Sequence, residues 1–132
     1  MPGILFLCIH NAGRSQMAAG FARQHRGVRV YSGGSEPAES VNPVAVSAMS
    51  EMGIDIAGYV PVRFTDEVLQ EVDVVVTMGC GDTCPYVPGK RYIDWPLDDP
   101  KGRGIEDVRR IRDEIRVLVD GLVAELSGGP SA

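Results

Sequence analysis

Cysteine is scarce in this sequence of 132 residues, where it occurs only as Cys8, Cys80 and Cys84. An odd number of cysteines in a chain without an export signal argues against a permanent disulfide framework. A structural zinc ion needs four ligands, yet only Cys80 and Cys84 are close together, and His10 and His25 are the two histidines. We therefore expect no bound metal, and we expect the thiols to serve nucleophilic or redox chemistry.

The sequence also lacks an excess of basic residues and any long apolar segment. Its formal net charge of -5 argues against a nucleic-acid or anionic membrane surface, because such partners need a basic face. The longest early apolar run, residues 4–9, is too short for a signal peptide or a membrane span. We expect a cytoplasmic monomer with a single domain over residues 1–132, of which 127–132 form a frayed tail.

Short apolar segments alternate with helical patterns along the chain. The run at 3–7 shows no polar alternation, which is typical of a strand buried on both faces of a parallel sheet. Further strands are predicted at 28–32, ended by Gly33 and Gly34, and at 72–77 and 91–93. Helices are predicted over residues 15–25, 43–52, 66–70 and 105–126. This order predicts an α/β fold: one three-layer domain with a four-stranded parallel open sheet and helices on both faces.

Residues 8–15, Cys-Ile-His-Asn-Ala-Gly-Arg-Ser, join the first predicted strand to the first predicted helix. A loop of this spacing can curl around a tetrahedral oxyanion, with its N–H groups pointing inward and the arginine binding two oxygens. The thiolate of Cys8 would be the nucleophile. The predicted oxyanion-binding residues are Ile9, His10, Asn11, Ala12, Gly13, Arg14 and Ser15. Of these, His10 is expected to contribute its backbone, while its side chain turns outward.

Other reactive side chains follow other predicted strands. Cys80 follows the third strand, and Asp94, Asp98 and Asp99 follow the fourth. Because the carboxyl ends of parallel strands meet at one edge of a sheet, we expect these side chains to gather near Cys8. A carboxylic acid at this edge can protonate a leaving oxygen as the thiolate attacks, and all three aspartates are candidates.

The chain resembles the low-molecular-weight protein tyrosine phosphatases and, more closely, the arsenate reductases built on the same fold. Besides the loop at 8–15, the stretches that carry this resemblance are 15–18, 41–43, 52–56, 76–78, 84–85, 98–100 and 112–115. The resemblance implies that Cys8 is the nucleophile, that Asn11, Arg14 and Ser15 form the anion pocket, and that Asp99 of the Asp-Pro pair is the general acid.

The second and third cysteines favour the reductase over the phosphatase. A phosphatase needs one cysteine and a water molecule, whereas a reductase needs a further thiol to supply two electrons. On the reductase pattern Cys8 attacks arsenate, Cys80 forms a disulfide with Cys8, and Cys84 then takes Cys80 into a disulfide that an external reductant reduces. Lys101 also stands where the phosphatases usually carry an aromatic residue.

The electron donor and the alternatives stay open at this stage. We expect no bound cofactor and prefer thioredoxin as the external reductant; mycothiol with a mycoredoxin, or glutathione with glutaredoxin, are the alternatives. Ala19 stands where thioredoxin-coupled relatives place an acidic residue near a monovalent-cation site, so the sequence does not support a potassium site. A tyrosine phosphatase is the second function to test, and an oxyanion-binding or redox-sensing module without turnover is the third.

Overall fold

The computed structural model describes residues 1–79 and 88–127. Strands and helices alternate along these residues, as the sequence predicts. In chain order the elements are β1 (Gly3–Cys8), α1 (Arg14–Ala22), β2 (Arg29–Gly34), α2 (Pro43–Ser50), α3 (Asp66–Glu71), β3 (Val74–Thr77), β4 (Arg91–Asp94) and α4 (Ile105–Leu126).

The four strands form one parallel sheet in the order β2-β1-β3-β4. This arrangement confirms the predicted α/β class and the four-stranded parallel sheet. Strand β1 lies between β2 and β3. The chain therefore continues from β1 to one half of the sheet and then crosses to the other half. Parallel sheets bind ligands beyond the carboxyl ends of the strands at such a switch point, and here Cys8 ends β1.

The two faces of β1 contribute to two separate apolar clusters. Ile4, Phe6 and Cys8 pack in the larger cluster with side chains from α1, α2 and α4. Leu5 and Leu7 pack in the smaller cluster on the opposite face, with Leu69 of α3. Alternate residues of a strand point to opposite faces, so a run that is apolar at every position marks a strand covered on both sides. Helices on both faces give the three predicted layers.

Helix α1 is buried along its whole length, from Arg14 to Ala22. It packs against β1 and β2 and also against α2 and α4. A helix enclosed by neighbours on all sides has no solvent face, which explains why its sequence is rich in alanine and lacks an amphipathic stripe. The N-terminus of this rigidly held helix lies directly after the loop that begins at Cys8.

The end of β2 differs from the prediction. Gly33 and Gly34 do not end the strand but are its last two residues, paired with Leu7 and Cys8 of β1. A Cβ atom on Gly34 would lie 2.6 Å from the carbonyl oxygen of Ile9, so a side chain there would collide with the loop that crosses the strand. The two glycines therefore mark a close approach of backbones and not a turn.

Helix and strand boundaries shift elsewhere by a few residues. The last helix has its predicted bounds, Ile105–Leu126. Helix α1 ends at Ala22 and not at residue 25, because the amides of Gln24 and His25 bond three residues back in a tighter turn, with His25 N–H donating to the Ala22 carbonyl. Val72, predicted as the start of a strand, caps α3 instead.

Cys80, Cys84 and residues 128–132 of the predicted frayed tail lie outside the described residues. No helix in the part of the chain that the structure describes could cross a membrane.

Candidate active site

Cys8 lies at the carboxyl end of the central strand and is 2% exposed. Its Sγ lies 2.9 Å from the hydroxyl oxygen of Ser15, in the first turn of α1. The thiol therefore sits between the end of a strand and the beginning of a helix. In this position the partial positive charge of the helix N-terminus favours an anion on the sulfur or beside it.

The loop from Ile9 to Gly13 turns its carbonyl groups away from Cys8. The carbonyl oxygen of Ile9 accepts a hydrogen bond from Glu36 N–H at 2.8 Å, and that of His10 accepts one from Ala38 N–H at 3.0 Å. The carbonyl of Ala12 accepts from Asn42 N–H at 2.8 Å, and the Gly13 carbonyl accepts within α1, from Met17 N–H. With its oxygens bonded outward, the loop is left with N–H groups for an anion beside the thiol.

Asn11 makes this curvature possible. It has a φ of 50°, the left-handed region that asparagine enters more readily than most residues, and it is fully buried. Its side-chain nitrogen donates to Ser15 Oγ at 2.7 Å, and its side-chain oxygen accepts from Val62 N–H at 2.9 Å. Gly13 is the N-cap residue of α1. Because it has no side chain, it leaves the first N–H groups of the helix uncovered.

Arg14 is 5% exposed and is held by backbone from a distant segment. Its Nη1 donates to the carbonyl oxygen of Leu97 at 3.2 Å. Gly79 lies against the same nitrogen, because a Cβ atom on Gly79 would be only 2.4 Å from it, and the φ of Gly79 is 82°. The guanidinium is therefore fixed at the pocket and kept in place for an oxyanion.

Asp99 is the aspartate that reaches the thiol pocket. Its Oδ2 lies 3.6 Å from Arg14 Nη2, and its Oδ1 accepts from Lys101 N–H at 3.0 Å. Its rivals are engaged elsewhere: Asp94 accepts from the hydroxyl of Thr77, and Asp98 pairs with Arg110 of α4. Of the three candidate aspartates, the structure therefore places Asp99, the one that the family resemblance indicates, beside Arg14.

These side chains line one cavity of about 400 Å³. Cys8 and Arg14 are buried members of its lining, whereas Asp99 has 44% of its side chain exposed. His10 and Lys101 also line it. The cavity thus combines a buried thiol, a loop whose N–H groups can receive an anion, a guanidinium held in place and a carboxyl group.

The two histidines lie in different surroundings. His10 is partly exposed and its ring Nδ1 contacts the carbonyl oxygen of Glu36 at 3.0 Å, although the residue also lines the cavity. The ring of His25 pairs with Asp120 of α4 at 3.0 Å. Within residues 1–79 and 88–127, no three side chains of the types that bind metal ions cluster together.

Several contributors to the site are not evident from the sequence. Four such groups contact residues of the 8–15 segment: the carbonyl of Leu97, the amide of Val62, the backbone of Gly79 and the side chain of Gln16. Gln16 lies in one of the stretches that carry the family resemblance, which is the one signal that singles it out. The other three act through backbone groups, which carry no mark in the sequence.

The family model for low molecular weight phosphotyrosine protein phosphatases matches residues 3–129. An arsenate reductase of Halalkalibacterium halodurans is 45% identical over 124 residues, which cover 85% of this chain and 88% of the relative. Arsenate reductase 2 of Staphylococcus epidermidis is 40% identical over 123 residues, covering 89% of this chain and 92% of the relative.

Solved structures show the same similarity in three dimensions. A thioredoxin-dependent arsenate reductase of Corynebacterium glutamicum superposes with a TM-score of 0.83 at 39% identity, over 96% of this chain; the match spans only 62% of that protein's chain. An arginine phosphatase from Geobacillus stearothermophilus superposes with a TM-score of 0.85 at 29% identity, over 97% of this chain and 94% of the other. Both a reductase and a phosphatase thus share this fold.

Proposed function

This chain belongs to the low molecular weight phosphotyrosine protein phosphatase family, and on that premise we propose that it is an arsenate reductase. The observation that carries the proposal is the similarity to arsenate reductases, up to 45% identity in the comparisons above, over most of both chains. The site supports it, because an oxyanion pocket with a buried thiol is what attack on arsenate requires.

In the first step, arsenate binds with its oxygens toward the N–H groups of residues 9–15 and the guanidinium of Arg14. The Cys8 thiolate attacks the arsenic atom, and Asp99 as general acid protonates the hydroxyl that departs as water. A carboxyl group beside the guanidinium is well placed for this proton transfer, since its Oδ2 is 3.6 Å from Arg14 Nη2. The product is a covalent bond between Cys8 sulfur and arsenic(V).

In the second step, the Cys80 thiolate attacks the sulfur of Cys8. The electron pair of the sulfur–arsenic bond stays with arsenic, which leaves as arsenite, and a Cys8–Cys80 disulfide forms. The two thiolates thus supply the two electrons that arsenic(V) needs to become arsenic(III). Cys84 then attacks Cys80, which frees Cys8 and moves the disulfide to Cys80–Cys84. The roles of Cys80 and Cys84 rest on the sequence, because both residues lie outside the described part of the structure.

The external reductant in this proposal is thioredoxin, which attacks the Cys80–Cys84 disulfide. The similarity to a thioredoxin-dependent arsenate reductase supports this choice. Mycothiol and glutathione systems are the alternatives, and neither needs Cys84 in the relay. We propose that the protein is a cytoplasmic monomer without a bound cofactor.

Arsenate-dependent oxidation of NADPH, coupled through thioredoxin and thioredoxin reductase, tests the proposal. We expect turnover with the unaltered chain and none with Cys8→Ser. The same assay repeated with mycothiol and with glutathione systems identifies the donor. If arsenate fails to stimulate oxidation with all three donors, or if Cys8→Ser retains activity, the proposal is wrong.

A phosphatase is the second candidate, favoured by the family model and by the structural similarity to an arginine phosphatase. It needs Cys8, Arg14 and Asp99 but not the other two cysteines. Hydrolysis of an aryl phosphate that is unchanged by the double change Cys80→Ser and Cys84→Ser, in a protein that does not reduce arsenate, would favour it. The lysine at position 101 argues against an aromatic wall for a phosphotyrosine ring.

A further inference from the structure

A chain of buried hydrogen bonds lies behind the thiol of Cys8. It begins where two donors converge on the side-chain oxygen of Asn11: the backbone N–H of Val62 at 2.9 Å and Nε2 of Gln16 at 3.1 Å. Gln16 Nε2 also donates to the backbone carbonyl of Asn11 at 3.1 Å. Asn11 and Gln16 are buried, with 0% and 1% exposure.

The direction of this chain is fixed at Val62. A backbone N–H can only donate, so the group that faces it has to be the oxygen of the Asn11 amide and not its nitrogen. The nitrogen then faces the other way and donates to Ser15 Oγ at 2.7 Å. A reversed amide would set donor against donor at Val62 and at Gln16.

The same argument fixes the direction of the hydrogen bonds of Ser15. Its hydroxyl accepts the hydrogen bond from Asn11, and its single proton remains to be donated. Cys8 Sγ lies 2.9 Å away and is buried, so the hydroxyl proton points toward the sulfur. A donated hydrogen bond of this kind favours the thiolate, which is the nucleophilic form.

The amide of Gln16 shows that this arrangement has a cost. Its Oε1 is buried and has no hydrogen-bond partner among the described residues. Turning the amide over would bring Oε1 against the two oxygens of Asn11, so the fold leaves one acceptor unsatisfied in order to present two donors to Asn11. An unsatisfied buried acceptor in contact with a strained loop residue is typical of a functional constraint.

We propose that Gln16 and the N–H of Val62 are positioning groups that act through Asn11 to direct the hydroxyl proton of Ser15 onto the Cys8 thiolate. The inference depends on the proposed function only in taking Cys8 as the nucleophile. The charged and titratable side chains that line the cavity with Cys8 are His10, Arg14, Asp99 and Lys101. None of them belongs to this chain of hydrogen bonds, so the chain can be altered while they stay in place.

The test is a double-mutant cycle on Gln16 and Ser15, read by alkylation of Cys8 with iodoacetamide in the full chain. Mass spectrometry of the Cys8 peptide separates this thiol from Cys80 and Cys84. Gln16→Glu keeps the shape of the side chain but replaces the donor by an acceptor. The carboxylate then faces the two oxygens of Asn11, acceptor against acceptor, and displaces the Asn11 side chain. The nitrogen of Asn11 no longer holds the Ser15 hydroxyl, so the hydroxyl proton is no longer directed onto Cys8.

With Ser15 present, we expect Gln16→Glu to slow the alkylation of Cys8 at neutral pH about tenfold, the size of one charge-assisted hydrogen bond. The midpoint of the alkylation rate against pH should rise by about one unit. In a Ser15→Ala background the same change should alter the rate less than about twofold, because the hydroxyl through which it acts is gone. Gln24→Glu adds the same charge just beyond the far end of α1, where Gln24 bonds to the Gly20 carbonyl, and should leave the rate unchanged.

Equal slowing by Gln16→Glu in both backgrounds would overturn the inference, since the effect would then come from the added charge. No slowing in either background would also overturn it. If circular dichroism shows that the Gln16→Glu chain does not fold, Gln16→Met removes the donors without adding charge, and we expect about a threefold slowing that Ser15→Ala abolishes. Because the assay contains no arsenate and no reductant, its outcome is independent of whether the chain reduces arsenate.

Discussion

Gly79 fits against Arg14 because it has no side chain. A Cβ atom at this position would lie 2.4 Å from Nη1 of Arg14, and the φ of 82° is itself unfavourable for any other residue. We predict that Gly79→Ala displaces the guanidinium and lowers kcat/KM for arsenate at least about tenfold, the loss of one charge-assisted contact to the oxyanion.

Gly89 provides the matched control for that change. It also has a positive φ, 89°, but a Cβ atom there would meet nothing within 4 Å. Gly89→Ala should therefore lower stability through backbone strain and leave kcat/KM nearly unchanged. Equal losses of kcat/KM in the two variants would show that strain, and not the position of Arg14, limits the reaction.

Asp99 and Asp98 are adjacent in the sequence and differ in what they contact. Asp99 lies beside Arg14 in the cavity, whereas Asp98 pairs with Arg110 on α4. We predict that Asp99→Asn lowers kcat for arsenate by about 10²-fold to 10⁴-fold, the usual contribution of a general acid, and that Asp98→Asn changes kcat less than about twofold. Steady-state kinetics with thioredoxin measure both, and a larger effect at Asp98 would transfer the role to that residue.

Residues of the site differ in how well the sequence predicts them. The spacing from Cys8 to Ser15 is local, so the loop could be predicted from a single stretch of the chain. The partners of Arg14, by contrast, come from distant positions: the Leu97 carbonyl is 83 residues away. A backbone carbonyl or N–H has the same chemistry at every residue, so only the fold reveals which one reaches the site.

At the scale of helices, the contact between α2 and α4 depends on Glu51, which follows the last residue of α2. Its carboxylate accepts from Arg109 of α4 at 2.6 Å and from Arg112 of the same helix at 2.7 Å. Hydrogen bonds from these two guanidinium groups, first that of Arg109, lower the pKa of Glu51 from 4.5 to about 2.

This lowered pKa gives a pH dependence of stability with a definite sign. The carboxylate stabilises the fold fully above its unfolded pKa of 4.5, and this contribution declines as the pH falls through 4.5 toward 2. We predict that Glu51→Gln lowers the free energy of unfolding at neutral pH and that the difference from the unaltered chain shrinks between pH 4.5 and 2. Urea unfolding at several pH values measures this.

Glu114→Gln is the control, because Glu114 makes an exposed pair with Arg110 one helical turn away. Its removal should have little effect at any pH. A difference for Glu51→Gln that stays constant down to pH 2 would show that its ion pairs do not couple to protonation.

Elements with a regular pattern were predictable from the sequence, and those shaped by close packing were less so. The apolar spacing in α4 continues over the 22 residues of that helix, and its bounds follow from it. The end of β2 did not follow, because Gly33 and Gly34 resemble a turn in the sequence. They are glycines because Phe64 and the loop after Cys8 press against them, a contact between segments that no local pattern contains.

For the molecule as a whole, the sheet brings reactive groups from separate segments to one edge. Cys8 ends β1, and Asp99 follows β4, which places the thiol and the carboxyl group at one cavity. Because the net charge is -5, the proposed arsenate site depends on local N–H groups and Arg14 and not on the general field of the protein.

The cysteine relay predicts a different dependence on each thiol. With thioredoxin as the donor, Cys84→Ser should abolish multiple turnovers while one turnover per chain persists, because Cys8 and Cys80 can still form their disulfide. With a mycothiol or glutathione system the same variant should keep its steady-state rate if that donor serves the enzyme. Undiminished thioredoxin coupling in Cys84→Ser would contradict the three-thiol relay.

A single-turnover experiment without any external reductant examines the proposed chemistry from substrate to disulfide. The reduced chain is mixed with excess arsenate, and arsenite and the disulfide pairing are measured by mass spectrometry. The relay predicts one arsenite per chain, the loss of two free thiols and a Cys80–Cys84 disulfide, with neither product in Cys8→Ser. Unchanged thiols and no arsenite, from a chain that hydrolyses an aryl phosphate, would show that this site is a phosphatase and not a reductase.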